Sequence, residues 1–332
     1  MIRRGALLAI LVLCTLPLDS FAQQPGKVNR IAVVSASPAS QLAGPTPINP
    51  AIRAFMQALK ARGYIEGENL NLDRRTIYGL EPTGMDDMMA ELVRLKPDVI
   101  VVPGSGSAVR AMKAAGGIPI VMAASVDPVG YGVAQSLARP GGSVTGLTLD
   151  VGTGAEEKRL ELFLELLPKA RRIAYVGLKS DWDSPWGRAI RSAATKRRLD
   201  LYFAEGKPNG FAEALDSLKQ RKSEAFFVGL TPQTFPFSST FGEFTVASRI
   251  PSSCGLTDMV EQGCLVAYGQ SLADIYDHVV TYVDKILKGA KPGDLPIEQP
   301  TKYALVINLK TAKAIGIKIP QSLLLRADRV IE

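Results

Sequence analysis

From Arg30 onward the chain sets down ten short apolar runs, RIAVVS, NLNLDRRTIY, DVIVVPG, IPIVMAAS, VTGLTL, RIAYVGL, LDLYFAE, EAFFVGL, IPSSC and CLVAYG, with helical patterns between them. Nearly all are rich in valine, isoleucine, leucine or alanine and do not alternate with polar residues. A strand with one wet face alternates, whereas a strand buried on both faces does not. Such a series therefore predicts parallel sheets with helices on both sides.

Two breaks divide the series. The first follows RPGGSVTGLTLD, after which a helix from about Thr153 to Leu167 opens a second run of strands and helices. The other follows Gly269, where SLADIYDHVVTYVDKILKG carries Leu272, Ile275, Val279, Val283 and Ile286 on one helical face. A last strand, YALVINL, and a short helix close the chain. The expected fold is α/β, two doubly wound parallel-sheet lobes of about five strands each with a hinged interlobe cleft. Residues 28–149 plus 271–299 form the first lobe, and 150–270 plus 300–332 the second. About 310 residues remain after a leader is removed, enough for two cores.

The leader is MIRRGALLAILVLCTLPLDSFA: two arginines, an apolar run from Ala6 to Leu18, then Ser20 and Ala22 at the small-residue positions of a cleavage site. It reads as a signal peptide over residues 1–22, since the run falls short of the roughly 20 apolar residues that span a bilayer. The mature chain is expected in the periplasm. Its two cysteines, Cys254 and Cys264, fit either a small disulfide loop or a pair of buried thiols. The formal charge of +7 is spread along the chain, with KRR at 196–198 the only short cluster. That distribution argues against nucleic acid as a partner.

In open parallel sheets ligands bind beyond the carboxyl ends of the strands, so the loops after the strands of both lobes line the expected cleft. Strand order alone gives the candidate ligand contacts: Ser35, Ser37, Ser105, Ser107 and Asp127 on the first lobe, and Asp181, Trp182, Trp186, Thr231 and Tyr268 on the second. In VVPGSGSAVRAM, residues 101–112, a strand runs through glycines into a helix. The stretch misses a dinucleotide fingerprint by the glycine that would stand at Val109. It suits a carboxylate instead, with Ser105 or Ser107 capping the helix and first-turn amides facing the anion. In SDWDSPWGRAI, Ser184 and Pro185 signal a helix start. Trp182 then stands in the loop before it, as a stacking surface for an aromatic or cationic ligand. Trp186 and Tyr268 fit either the cleft or the core, and Asp127-Pro128 also reads as a plain turn.

At this point the chain resembles a known family. RIAVVS, LKARGYIEGENL, RPGGSVTGLT, KRLELFLELLP, RIAYVGL and the long stretch AYGQSLADIYDHVVTYVDKILKGAKPGDLPIEQPTKYALVINLKTAKAIGIKIPQSLLLRAD are similar to ABC transporter substrate-binding proteins of the tryptophan/tyrosine uptake type. The resemblance covers essentially the whole mature chain. It implies a type I periplasmic-binding-protein fold and a receptor, expected to be monomeric, that hands a small ligand to an inner-membrane permease and its ATPase. The loop KSDWDSPWGRAI departs from the family's usual asparagine- and proline-rich sequence there. The resemblance does not fix the ligand; the helix start after Gly104 points to a small carboxylate, an amino acid or an aromatic acid.

Catalytic equipment is sparse. The only histidine, His278, shares a helical face with Asp274, Thr281 and Lys285, opposite the apolar stripe, and reads as a solvated surface residue. No G-x-S-x-G elbow frames Ser105 or Ser107, and carboxylates do not cluster as metal ligands do. The chain is expected not to be an enzyme and to need no cofactor or metal.

Overall fold

The structure is a computed structural model that describes residues 27–149, 154–299 and 303–332. The expected leader and the lobe boundary at Asp150 lie outside the described residues.

The first lobe is built from β1 (Asn29–Ser35), α1 (Pro50–Ala61), β2 (Leu70–Thr76), α2 (Pro82–Arg94), β3 (Val99–Val102), α3 (Ser105–Ala115), β4 (Ile120–Ser125) and β5 (Val144–Thr148). Its five strands are all parallel, in the order β2-β1-β3-β4-β5. The second lobe follows with α4 (Gly154–Leu166), β6 (Arg172–Gly177), α5 (Lys179–Trp182), α6 (Pro185–Lys196), β7 (Asp200–Glu205), α7 (Ala212–Gln220), β8 (Ala225–Val228), α8 (Ser238–Ser248), β9 (Ser252–Leu256), α9 (Asp258–Glu261) and β10 (Val266–Gln270). The chain then returns through α10 (Leu272–Leu287), which packs on α1 and β4 of the first lobe. It ends in the second lobe with β11 (Ala304–Asn308), α11 (Leu309–Ile315), α12 (Gln321–Leu324) and β12 (Arg329–Ile331).

Two α/β lobes are therefore present, as the apolar runs predict, but the second sheet is larger than the expected five strands. Its order is β12-β11-β10-β9-β8-β6-β7, seven strands, and β11 runs antiparallel to β10. The reversal has a simple cause. The chain re-enters this lobe beside the carboxyl end of β10, so the next strand must run back along it. The three-residue β12 is too short to announce itself by periodicity.

Helix ends follow local rules. Asn49 caps α1 with Pro50 in its first turn, and Ser184 caps α6 with Pro185 behind it. The predicted stripe of α10, Leu272, Ile275, Val279, Val283 and Ile286, is wholly buried. Each such side chain contributes about 1.5–3 kcal/mol on leaving water. One apolar cluster is continuous from Ile31, Phe55 and Val279 in the first lobe to Phe226, Phe235 and Phe241 in the second.

Cys254 and Cys264 form a disulfide, with a Cα–Cα distance of 6.4 Å and a sequence separation of 10. Both are fully buried. Closing a loop of that length in the unfolded chain is worth about 3 kcal/mol. The urea midpoint of the protein should therefore fall markedly under reducing conditions and in the Cys254→Ala/Cys264→Ala double variant. Equal midpoints with and without reductant would show that the bond adds nothing.

Candidate functional site

The lobes meet where the carboxyl ends of their strands face each other. Tyr78, just after β2, brings its ring to 5.6 Å from that of Phe237, which follows β8. A β-carbon on Gly104 would stand 3.3 Å from the Ala124 carbonyl oxygen and 3.7 Å from the Pro232 ring. Glycine here eases the close packing of this loop on β4, and Pro232 of the other lobe stands at ordinary contact distance. Between the lobes lies a gap of about 10 Å³, lined by Ser35, Ala36, Ser37, Asn49, Ala51, Pro103, Leu272 and Tyr276 of the first lobe and by Pro232 and Phe235 of the second. That is close to the space of a single water. No lining side chain of this gap carries a charge.

The first lobe supplies the polar wall. The Ser35 hydroxyl accepts from the Ser37 amide at 3.1 Å, and the Asn49 side-chain amide donates to the Ser37 hydroxyl at 2.7 Å. The Asn49 carbonyl oxygen accepts from the Ile52 amide, so one residue caps α1 and orients Ser37. Sequence reasoning missed Asn49, although Asn-Pro just ahead of an amphipathic run is a helix-start signal.

At α3 the expected serine cap is corrected. Gly104, in extended backbone, is the cap residue, and no side-chain hydrogen bond closes the helix start among the described residues. The Ser105 hydroxyl instead donates to the Val126 carbonyl at 2.6 Å and accepts from the Val126 amide at 3.2 Å. It ties the helix start to the end of β4. The first-turn amides and Ser107 are thereby left beside Gly104, where the lobes approach. Asp127 takes the turn reading: its φ is 47° and its carboxylate accepts from the Gly130 amide at 2.9 Å.

On the second lobe, Asp181 and Thr231 come together across fifty residues. The Asp181 carboxylate accepts from the Thr231 hydroxyl at 3.3 Å and from the Leu178 amide at 3.1 Å. It is wedged between strand ends, since a β-carbon on Gly229 would lie 2.8 Å from its oxygen. Burial raises its pKa to about 7, against the lowering effect of those two hydrogen bonds, while Glu156 raises it further and Arg159 lowers it.

Glu156 and Arg159 were not foreseen as partners of this region. The Arg159 guanidinium, 1% exposed, pairs with Glu156 at 3.1 Å and donates to the carbonyls of Val228 at 2.6 Å and Ser253 at 3.4 Å. It also lies 4.7 Å from the Phe227 ring centre. Val228 ends β8 and Ser253 lies near the start of β9, so the buried cation ties these two neighbouring strands of the second lobe together. A signal existed: Glu156 and Arg159 occupy the helical face of Leu160, Phe163 and Leu166 in α4, where charge is out of place.

Trp182 is a second correction. Its ring stacks on Phe203 at 5.0 Å and 15°, with Tyr175 at 5.4 Å and the Arg191 guanidinium 4.4 Å above it. Arg191 also donates to the Trp182 carbonyl. The indole is thus engaged within its own lobe. Trp186 is buried in the first turn of α6. Tyr268 stands by the lobe crossings, its ring 5.4 Å from Tyr303. His278 is exposed and lies 2.9 Å from Glu298. Among the described residues no group of three acids, cysteines or histidines could hold a metal, and no helix is long and apolar enough to cross a membrane.

With this geometry in hand, residues 46–331 match the family described as ABC transporter substrate binding protein. A relative in Clostridioides difficile (strain R20291), a tyrosine-binding protein, is 26% identical over 283 residues, 84% of this chain and 80% of its own length. Among solved structures, a conserved domain protein from Vibrio cholerae is 27% identical with a TM-score of 0.78, covering 92% of this chain and 100% of that one. An ABC domain from Streptococcus pneumonia in complex with L-Trp is 24% identical with a TM-score of 0.76, covering 91% and 99%.

Proposed function

The chain belongs to the ABC transporter substrate binding protein family, and from that premise we propose that it captures a small carboxylate-bearing ligand, an aromatic amino acid or aromatic acid, between its two lobes. The observation that carries this reading is the start of α3. Among the described residues its amides have no side-chain cap, and they follow Pro103, which lines the gap, and Gly104, which approaches Pro232. A helix start favours an anion by roughly 0.3–1 kcal/mol even when exposed. Ser107, Ser35, Ser37 and Asn49 then supply polar contacts, while Phe235, Tyr276 and Tyr78 supply an apolar cover. The names of the relatives, one tyrosine-binding and one crystallised with L-Trp, support the same ligand class.

On this reading residues 1–22 direct export, the protein works in the periplasm as a monomer, and the disulfide suits that oxidising compartment. The lobes close on the ligand, and the closed form is what an inner-membrane permease with its ATPase receives.

The test uses protein beginning at Gln23, unfolded and refolded to strip bound ligand. L-tryptophan, L-tyrosine, aromatic acids, sugars and nucleosides are compared by thermal shift and calorimetry. A ligand at 100 times its Kd adds about 2.7 kcal/mol of stability. One aromatic carboxylate should do so, with affinity at least tenfold weaker in Asn49→Ala and Phe235→Ala and near wild type in Trp182→Ala. Stabilisation by sugars or nucleosides alone would remove the anion site from the reading.

A further inference from the structure

The backbone passes between the lobes three times: between Leu149 and Gly154, between Gln270 and Leu272, and between Gln299 and Tyr303. One side chain touches the ends of all three. The Tyr303 hydroxyl donates to the Leu149 carbonyl at 3.0 Å and receives the Gln270 side-chain amide at 3.4 Å. Its ring packs on Tyr268 at 5.4 Å, which fixes where the hydroxyl points.

A second tie lies beside it. Asp258, on α9 of the second lobe, accepts from the amides of Leu272 at 2.6 Å and Ala273 at 3.4 Å and from the Ser271 hydroxyl at 3.2 Å. Those amides open α10, and α10 packs on the first lobe. Ser271 is the cap residue of this sixteen-residue helix, its hydroxyl accepting from the Asp274 amide at 3.1 Å, and a carboxylate of the other lobe takes the two amides ahead of that bond. The Thr257 amide adds a bond to the Gln270 carbonyl at 2.9 Å. Beside these ties opens a groove of about 910 Å³, lined from both lobes by residues that include Arg53, Gln57, Asp274 and Glu261. The groove gives the lobes room to rotate on this side, while the contacts of Tyr78 and Pro232 close the other.

From this arrangement we infer that Tyr303 and Asp258 are positioning residues that form the pivot of lobe closure: they hold the three crossings in register and set how far the lobes open, without touching ligand. The inference rests on the capture function proposed above, but its first test does not. Rotation of two rigid lobes needs a few fixed points near the crossings, and these two side chains bond across the described ends of those crossings.

The experiment uses the ligand-free mature chain. Tyr303→Phe keeps the ring packing on Tyr268 and removes only the hydroxyl. Asp258→Asn keeps the shape and removes the charge. In Asp258→Asn, hydrogen exchange of the Leu272 and Ala273 amides, its partners, should quicken about fivefold, the effect of weakening one charge-assisted hydrogen bond. Small-angle X-ray scattering should show a larger radius of gyration, while exchange in β1 and β8 stays at the wild-type rate. Asp258→Glu should recover part of the protection. With L-tryptophan as probe, affinity should fall several-fold through a faster off-rate.

Unchanged scattering and unchanged exchange at the start of α10 in both variants would overturn the pivot. So would a general loss of protection across both sheets, which marks a merely structural role. If L-tryptophan fails to bind the wild type, the ligand proposal falls and the ligand-free measurements still decide the pivot.

Discussion

Asp181→Asn should be more stable than the wild type at pH 8, and the difference should shrink as pH falls from about 7 toward about 4. The Asp181 carboxyl is raised from 3.8 to about 7 in the folded protein, chiefly by burial. An acid whose folded pKa lies above its unfolded value favours the protonated native state. Its contribution is thus most favourable at low pH and is lost as pH rises from about 4 to about 7. A shift of that size corresponds to roughly 4 kcal/mol as an upper value. Asparagine keeps a carbonyl oxygen for the Thr231 hydroxyl and the Leu178 amide but carries no charge to desolvate. Glu165, with Arg326 as its largest influence, and Glu224, with the Arg172 amide as its largest, have lowered pKa values and act in the opposite sense. Their stabilisation is lost only as pH falls through the ordinary carboxyl range, so the two windows separate. Urea unfolding at pH 5, 6, 7 and 8 gives the answer. Parallel curves for variant and wild type would show that Asp181 does not titrate in this range.

Arg159→Ala should be the most damaging single change outside the apolar core, costing about 3–5 kcal/mol. The variant strands Glu156 as an unpaired buried carboxylate, and it leaves the Val228 and Ser253 carbonyls without their donor. The double change Glu156→Gln/Arg159→Met removes both charges together and should recover most of the loss, because a buried pair owes much of its apparent worth to the cost of breaking it. Denaturant unfolding of the wild type, Glu156→Gln, Arg159→Met and the double variant yields the coupling. Additive single and double effects would mean that the two side chains do not act as a pair.

Both predictions concern residues whose importance is only half visible in the chain. Asp181 and Thr231 could be placed after neighbouring strands by counting, yet their contact spans fifty residues. The bonds that fix Arg159 reach 69 and 94 residues along the chain. Trp182 shows the same limit from the other side. Its loop and flanking aspartates suggest an exposed indole, and nothing local says that Phe203, on the neighbouring strand, offers a face on which to stack. The Ser105 hydroxyl was expected at its own helix start, where capping is commonest, but Val126 at the end of β4 competes for it and wins.

The sequence by itself determined the class of fold, the alternation of strands and helices, the start of α6, the buried stripe of α10 and the family. These depend on periodicity and on capping chemistry within a few residues, which the chain states directly. Tertiary structure alone decided that β11 runs antiparallel, that the two cysteines are joined, and that Trp182 stays within its lobe. It also decided that Asn49, Arg159, Asp258 and Tyr303 organise the region between the lobes. Each of those outcomes turns on a partner far away in the chain, and hydrogen bonds and ring contacts have no sequence signature until the fold brings their two halves within reach.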